Sequence, residues 1–210
     1  MRMLLVLLLL SLTTLSWATD VHQAVHELQK QWAIANYETQ ENQYEQVFAQ
    51  LNSQAEKTVK EYPGQAEPLI WQAIILSTDA GKNGGFSALG KVKQSKKLLL
   101  EAEKINPKAL DGSIYTSLGS LYYQVPGWPI GFGDNDQALV YLKKALEMNP
   151  NGIDPNYFYG DFLLEKGQYK QAVKQFNKAL QAADRPARPL ADKGRRLEIN
   201  AKLKTAQSNL

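Results

Sequence analysis

The stretch YGDFLLEKGQYKQAVKQFNKAL, from Tyr159 to Leu180, decides the fold. Its apolar residues recur at three- and four-residue steps, with Phe162 and Leu163 in a first run and Ala172, Phe176 and Ala179 in a second. That is the period of a helix buried along one face. Gly167-Gln168-Tyr169 interrupts the pattern as a tight turn does, and two helices joined by so short a turn lie antiparallel. Such helices interdigitate closely only where a side chain is very small. Gly160 on the first, facing Ala172 and its neighbours, meets that need.

The same phrase recurs upstream. KLLLEAEKINP (97–107) and YLKKALEMNP (141–150) align with QFNKALQAAD (175–184), so that Ala102, Ala145 and Ala179 share one slot at spacings of 43 and 34 residues. Leu118-Gly119 with Tyr122, followed by Ala138, Leu142, Ala145 and Pro150, repeats the helix pair one unit earlier. These residues resemble the tetratricopeptide-repeat family, whose period is about 34 residues. The resemblance implies an all-α fold of antiparallel helix pairs, stacked as a short right-handed superhelix. The chain then divides into an N-terminal helical pair (19–66), three repeats (67–189), two of them with inserted loops, and a C-terminal capping helix (190–210). The N-terminal pair, Val21 to Tyr37 and Asn42 to Tyr62, reads as a degenerate repeat carrying Trp32. The first full repeat is expected to place Pro68 to Ser77 as one helix, with Trp71 and Ala73 inward. Val92 to Ile105 is the other, and the glycine-rich link Thr78 to Lys91 joins them. The second carries seven extra residues within Gln124 to Asp136. The last helix is polar on one face, as a terminal cap must be. No stretch alternates apolar and polar residues as a half-buried strand would.

The chain of 210 residues carries 24 Lys and Arg against 21 Asp and Glu, a net charge of +3. So slight an excess is not the one-sided basic field that phosphate backbones need, which argues against nucleic-acid binding. There is no cysteine, which excludes disulfides and thiolate metal sites. Arg2, the run Leu4 to Leu10 and Ser16-Trp17-Ala18 read as a signal peptide over residues 1–18. The apolar run is too short to span a bilayer. The mature protein is expected in the periplasm, without a membrane span.

Three further runs narrow the resemblance: Tyr122 to Asp134, Asn151 to Gly160, and Arg185 to Arg196. Together they are similar to the exported T-component accessory proteins of TRAP transporter systems. That resemblance implies a periplasmic helical accessory working beside a solute-binding protein. The chain departs from the lipoprotein form common there, because it lacks the lipid-carrying cysteine.

The segment Pro126 to Gly133 is stiffened by two prolines and bent by three glycines. Its Trp128 and Phe132, with Tyr122 and Tyr123, form either a recognition surface or a plug folded back onto the helices. If it recognises a partner, the loop is expected to lean over the concave face, with Arg188 and Arg195 as an acid-binding edge. Arg185, Arg188, Arg195 and Arg196 cluster around the last turn. They could hold a carboxylate bidentately, as a peptide C-terminus or an organic acid offers, or pair internally with Asp154, Asp161 or Asp192. Asp134 suits a helix N-cap better than a cation loop. His22 and His26 lack a third ligand at metal spacing, so no metal is expected. No nucleophile elbow or phosphate-cradling loop appears, so neither enzymatic activity nor a cofactor is expected. The chain reads as a module that binds a protein or peptide on its concave face. The alternative is a small-molecule binder with an aromatic-lined chamber. An open groove favours the first and an enclosed pocket the second. Mass spectrometry of the mature protein should give a chain beginning at Thr19; an intact Met1 in the membrane fraction would contradict the signal-peptide reading.

Overall fold

The computed structural model describes residues 21–210; the signal-peptide segment lies outside the described residues. The described chain is all-helical. Helix α1 covers residues 21–37. It is followed by α2 (Tyr44–Glu61), α3 (Ala66–Asn83), α4 (Gly85–Ile105), α5 (Ser113–Gln124), α6 (Asn135–Met148), α7 (Ile153–Glu165), α8 (Tyr169–Leu180) and α9 (Pro189–Gln207). Among the described residues no helix is long and apolar enough to cross a membrane. Consecutive helices pack as antiparallel pairs, α3 with α4, α5 with α6 and α7 with α8, and the pairs stack through α3, α5 and α7.

The small residues set the interhelical spacing. A Cβ built on Gly119 would stand 2.6 Å from Leu142 Cγ, and one on Gly160 would stand 2.8 Å from the Phe176 ring. The residue that fills the space over Gly160 is therefore Phe176, not Ala172. Ala102, Ala138, Ala145, Ala172 and Ala179 are fully buried in the apolar clusters between the helices. The recurrence of Ala or Gly at these contacts is what the repeat pattern in the sequence encodes.

Two expectations are corrected. The glycine-rich link Thr78 to Lys91 is helical almost throughout. Only Gly84 (φ 59°) and Gly85 (φ 73°) take left-handed backbone, and they turn the chain directly from α3 into α4. Gly81 and Gly90 stay in the helices at a cost of about 1 kcal/mol each relative to Ala. Buried ties between α3 and α4 offset that cost: Ser95 Oγ donates to the Ala73 carbonyl (2.8 Å), and Lys91 reaches the buried Asp79 carboxylate (2.8 Å).

The second correction concerns α9. It does more than cap the stack. Its C-terminal half packs on α7 and α8, with Ile199 and Ala206 in their apolar cluster. Its N-terminal half reaches the opposite end of the chain, where Ala191 and Leu190 join the cluster of Val25, Leu28, Trp32 and Trp71. Gly194 makes this possible, because a Cβ there would run into the Tyr37 ring. The succession α1, α3, α5, α7 and α9 thus closes on itself, last helix against first.

Replacing Gly160 or Gly194 with Leu should overpack the contact and cost about 1–3 kcal/mol in either case. Thermal unfolding checks this, and an unchanged melting temperature for Gly194→Leu would mean that α9 does not rest on α1.

Candidate functional site

The ring of helices walls a cavity of about 520 Å³ that is partly open to solvent. Helix α1 contributes Trp32, α3 contributes Trp71, and α7 contributes Phe158 to an apolar wall. Trp32 and Trp71 meet edge to face with centroids 5.8 Å apart, and the Trp32 indole N–H donates to Thr78 Oγ1 (2.9 Å). Helix α5 presents Ser113, Thr116, Ser117 and Ser120, a stripe of hydroxyls at helical spacing on an otherwise apolar helix. Between α4 and α5, Leu110 (φ 51°), Asp111 (φ 49°) and Gly112 (φ 84°) run left-handed in succession, placing Leu110 and Asp111 on the cavity wall. Two non-glycine residues in that region carry strain of about 1–2 kcal/mol each. Observed strain of this kind clusters at functional sites.

The α8–α9 turn and the start of α9 supply the charge. Arg185 donates from Nε to Asp192 Oδ1 and from Nη1 to Asp154 Oδ2, both at 2.7 Å. Arg195 donates from Nε to Asp154 Oδ1 (2.9 Å) and pairs with Glu198, while its guanidinium lies 4.3 Å from the Tyr157 ring centre. Arg196 faces away, donating to the carbonyls of Leu180 and Ala182 and to Asp184. Burial would raise the Asp154 carboxyl, but the charges of Arg195, Arg185 and Arg188 outweigh it and hold the group well below the usual carboxylate range. Arg188 differs from its neighbours. Its guanidinium sits 5.0 Å from the Trp71 ring centre, and its buried Nε has no hydrogen-bond partner. Burial lowers its pKa, whereas against the effect of burial Arg185 is raised by Asp154 and Asp192, and Arg195 by Tyr37, Asp154 and Glu198.

The structure separates the residues that the sequence grouped. Arg188 and Arg195 line the cavity; Tyr122, Tyr123, Trp128 and Phe132 do not. The loop folds back on itself and on the end of α5, through Gly133 N–H to the Pro126 carbonyl (3.0 Å) and Asp134 N–H to the Tyr122 carbonyl (2.8 Å). Phe132 packs edge-on against Tyr122, and Lys96 of α4 lies 4.4 Å from its ring centre. The loop therefore leans toward α4 and not over the concave face. Trp128 points into solvent, 90% exposed, so it is no plug. Tyr123 is buried between α6 and α7 and donates to Asp161 Oδ2 (3.0 Å), a packing role. Of the expected acidic partners, Asp154 and Asp192 take arginines, while Asp161 takes Tyr123 and Lys202. Asp134 caps α6, accepting from the backbone N–H groups of Asp136 and Gln137. His22 and His26 are exposed on α1. Among the described residues no group of three His, Cys, Asp or Glu side chains gathers. Sequence reasoning overlooks the cavity-facing serines of α5, though their spacing is visible, and it does not assign Trp71 to a site.

Residues 130–191 match the family model described as Tetratricopeptide repeat. That span runs from the end of the inserted loop through α6, α7 and α8 into α9. Among solved structures, the chain is similar to a thermophilic TPR protein from Thermus thermophilus. The identity is 18% and the TM-score 0.46, over 77% of this chain and 91% of that one. No curated protein matches the chain. The repeat match supports an interaction module.

Asp154 couples the turn, α7 and α9. Asp154→Asn should destabilise the protein by about 2–3 kcal/mol, below the range for a fully buried pair because the carboxylate is a quarter exposed. Its folded pKa is depressed, so its contribution is present above the unfolded value of about 3.9 and fades as pH falls through the acid range. The stability difference between parent and variant should narrow below about pH 4, and a difference independent of pH would contradict the assignment.

Proposed function

We propose that this is an exported binding protein, not a catalyst, that holds a small ligand inside its helical ring and works beside a protein partner. The observation that carries the reading is the closure of α9 onto α1. An extended peptide needs an open concave face to lie along. Here α9 crosses that face, resting on Tyr37 through Gly194 and on Trp71 through Arg188. What remains is a chamber of a size typical for small-molecule sites, apolar on one wall and hydroxyl-lined on another. Two of the three runs that resemble TRAP T-component accessories meet at this chamber, joined by Asp154 with Arg185 and Arg195. The resemblance makes a periplasmic solute-binding protein the natural partner.

The inserted loop supplies a surface for that partner. Trp128 (90% exposed) and Ile130 (66%) stand outside the ring on a short stiffened loop, and exposed aromatic anchors of this kind dominate interface energetics.

Two measurements test the proposal. In the mature Trp128→Phe protein the remaining tryptophans are Trp32 and Trp71, both on the cavity wall. Their fluorescence should change when a ligand enters, and Ser117→Phe, which fills the chamber, should abolish that response. A response that survives Ser117→Phe would place the ligand elsewhere. Trp128→Ala should alter stability by no more than about 0.5 kcal/mol while weakening association with the partner protein. Loss of stability with association intact would overturn the docking role.

A further inference from the structure

Four arginines surround the α8–α9 turn, and three are paired with acceptors of the protein. Arg185 and Arg195 share Asp154 and hold Asp192 and Glu198 in addition, and Arg196 is satisfied by two carbonyls and Asp184. Arg188 is left with a stacked indole and no acceptor at its buried Nε. The indole beneath it belongs to Trp71, which is 3% exposed and whose Nε1–H is likewise buried without a hydrogen bond. Both residues line the cavity, and no acceptor or acid among the described residues pairs with the Arg188 guanidinium there. Buried donors are ordinarily paired, and leaving one unpaired is costly. A guanidinium on a cavity wall with no acid of its own is what an incoming oxyanion would pair with.

We infer that the cavity takes an organic monocarboxylate whose anionic group pairs with the Arg188 guanidinium. The inference rests on the reading of the cavity as a ligand site. A planar carboxylate suits a guanidinium fork. The remaining walls select the rest of the molecule. Trp32, Ile74 and Phe158 offer apolar surface for a carbon skeleton, and the α5 hydroxyls offer polar contacts across from it. Asp111, Asp154 and Asp184 stand on the wall with Arg185, Arg188 and Arg195, so the lining is charge-balanced and Arg188 leaves room for one negative group. Phosphate esters and dicarboxylates are therefore poor fits. Such a carboxylate could be a free organic acid or the C-terminus of a peptide, and the chemistry at Arg188 is the same for both.

Isothermal titration calorimetry on the full mature protein tests this with matched acid and amide probes. The free-acid arm compares 3-phenylpropanoate and hexanoate with their primary amides. The peptide arm compares the tripeptide Ala-Ala-Phe with its C-terminal amide. The acid in at least one arm should bind about ten- to a hundredfold more tightly than its amide, and the arm in which it does so names the source. Arg188→Gln should remove that preference and leave amide binding unchanged. Arg188→Lys should retain part of the preference. Circular dichroism confirms that each variant is folded; if Arg188→Gln is not, Arg188→Lys decides. Acid and amide binding equally would overturn the carboxylate assignment while leaving the cavity as a ligand site. Neither binding in either arm would overturn both.

Discussion

Gly194 lets α9 lie against α1, and the interior of the molecule follows from that contact. Any side chain at this position would collide with the Tyr37 ring. With hydrogen there, the helices approach closely enough for Ala191 to enter the apolar cluster around Trp32 and for Arg188 to stack on Trp71. A stack of helix pairs held only by nearest-neighbour contacts is quasi-one-dimensional and leaves its inner face open. The α9–α1 contact converts it into a ring, and a ring encloses a volume where an open stack offers a groove.

Closure also explains the density of charge around α9. A helix that crosses from α7 and α8 to α1 takes its polar side chains into the interior, where each must find a partner. Asp154, at the first turn of α7, serves two of them at once, and its charge suits a helix N-terminus. Arg185, Arg195 and Asp154 thereby form a rigid frame, and that frame holds Arg188 in place without consuming its donors. Arg188 is distinguished from Arg185, Arg195 and Arg196 by having no acceptor.

How much of this is legible in the sequence depends on the range of the contact. The alanine slots at 102, 145 and 179 and the glycines at 119 and 160 repeat with the helix pairs, so local periodicity reveals the all-helical stacked fold. Between α3 and α4 the glycine content suggests a loop, whereas only two of the four glycines adopt left-handed backbone and the rest of the segment stays helical. The inserted loop is visible as a length excess. Its direction is not, since that is decided by Phe132 packing on Tyr122 beside Lys96, a contact no pattern announces. The meeting of Tyr37 with Gly194 joins the two ends of the described chain, and nothing in either neighbourhood points to the other. The arginine cluster is recognisable as a candidate site, but only pairing in three dimensions separates Arg188 from Arg185 and Arg195.

The claim on which the rest stands is that the helical stack is closed in solution. The chain has no cysteine, so a pair introduced at Glu38 and Lys193, exposed neighbours of Tyr37 and Gly194, can be spin-labelled cleanly. Pulsed electron–electron double resonance on that double variant should give a single, narrow distribution at the short separation of helices in contact. A long or broad distribution, showing α9 detached from α1, would contradict the account.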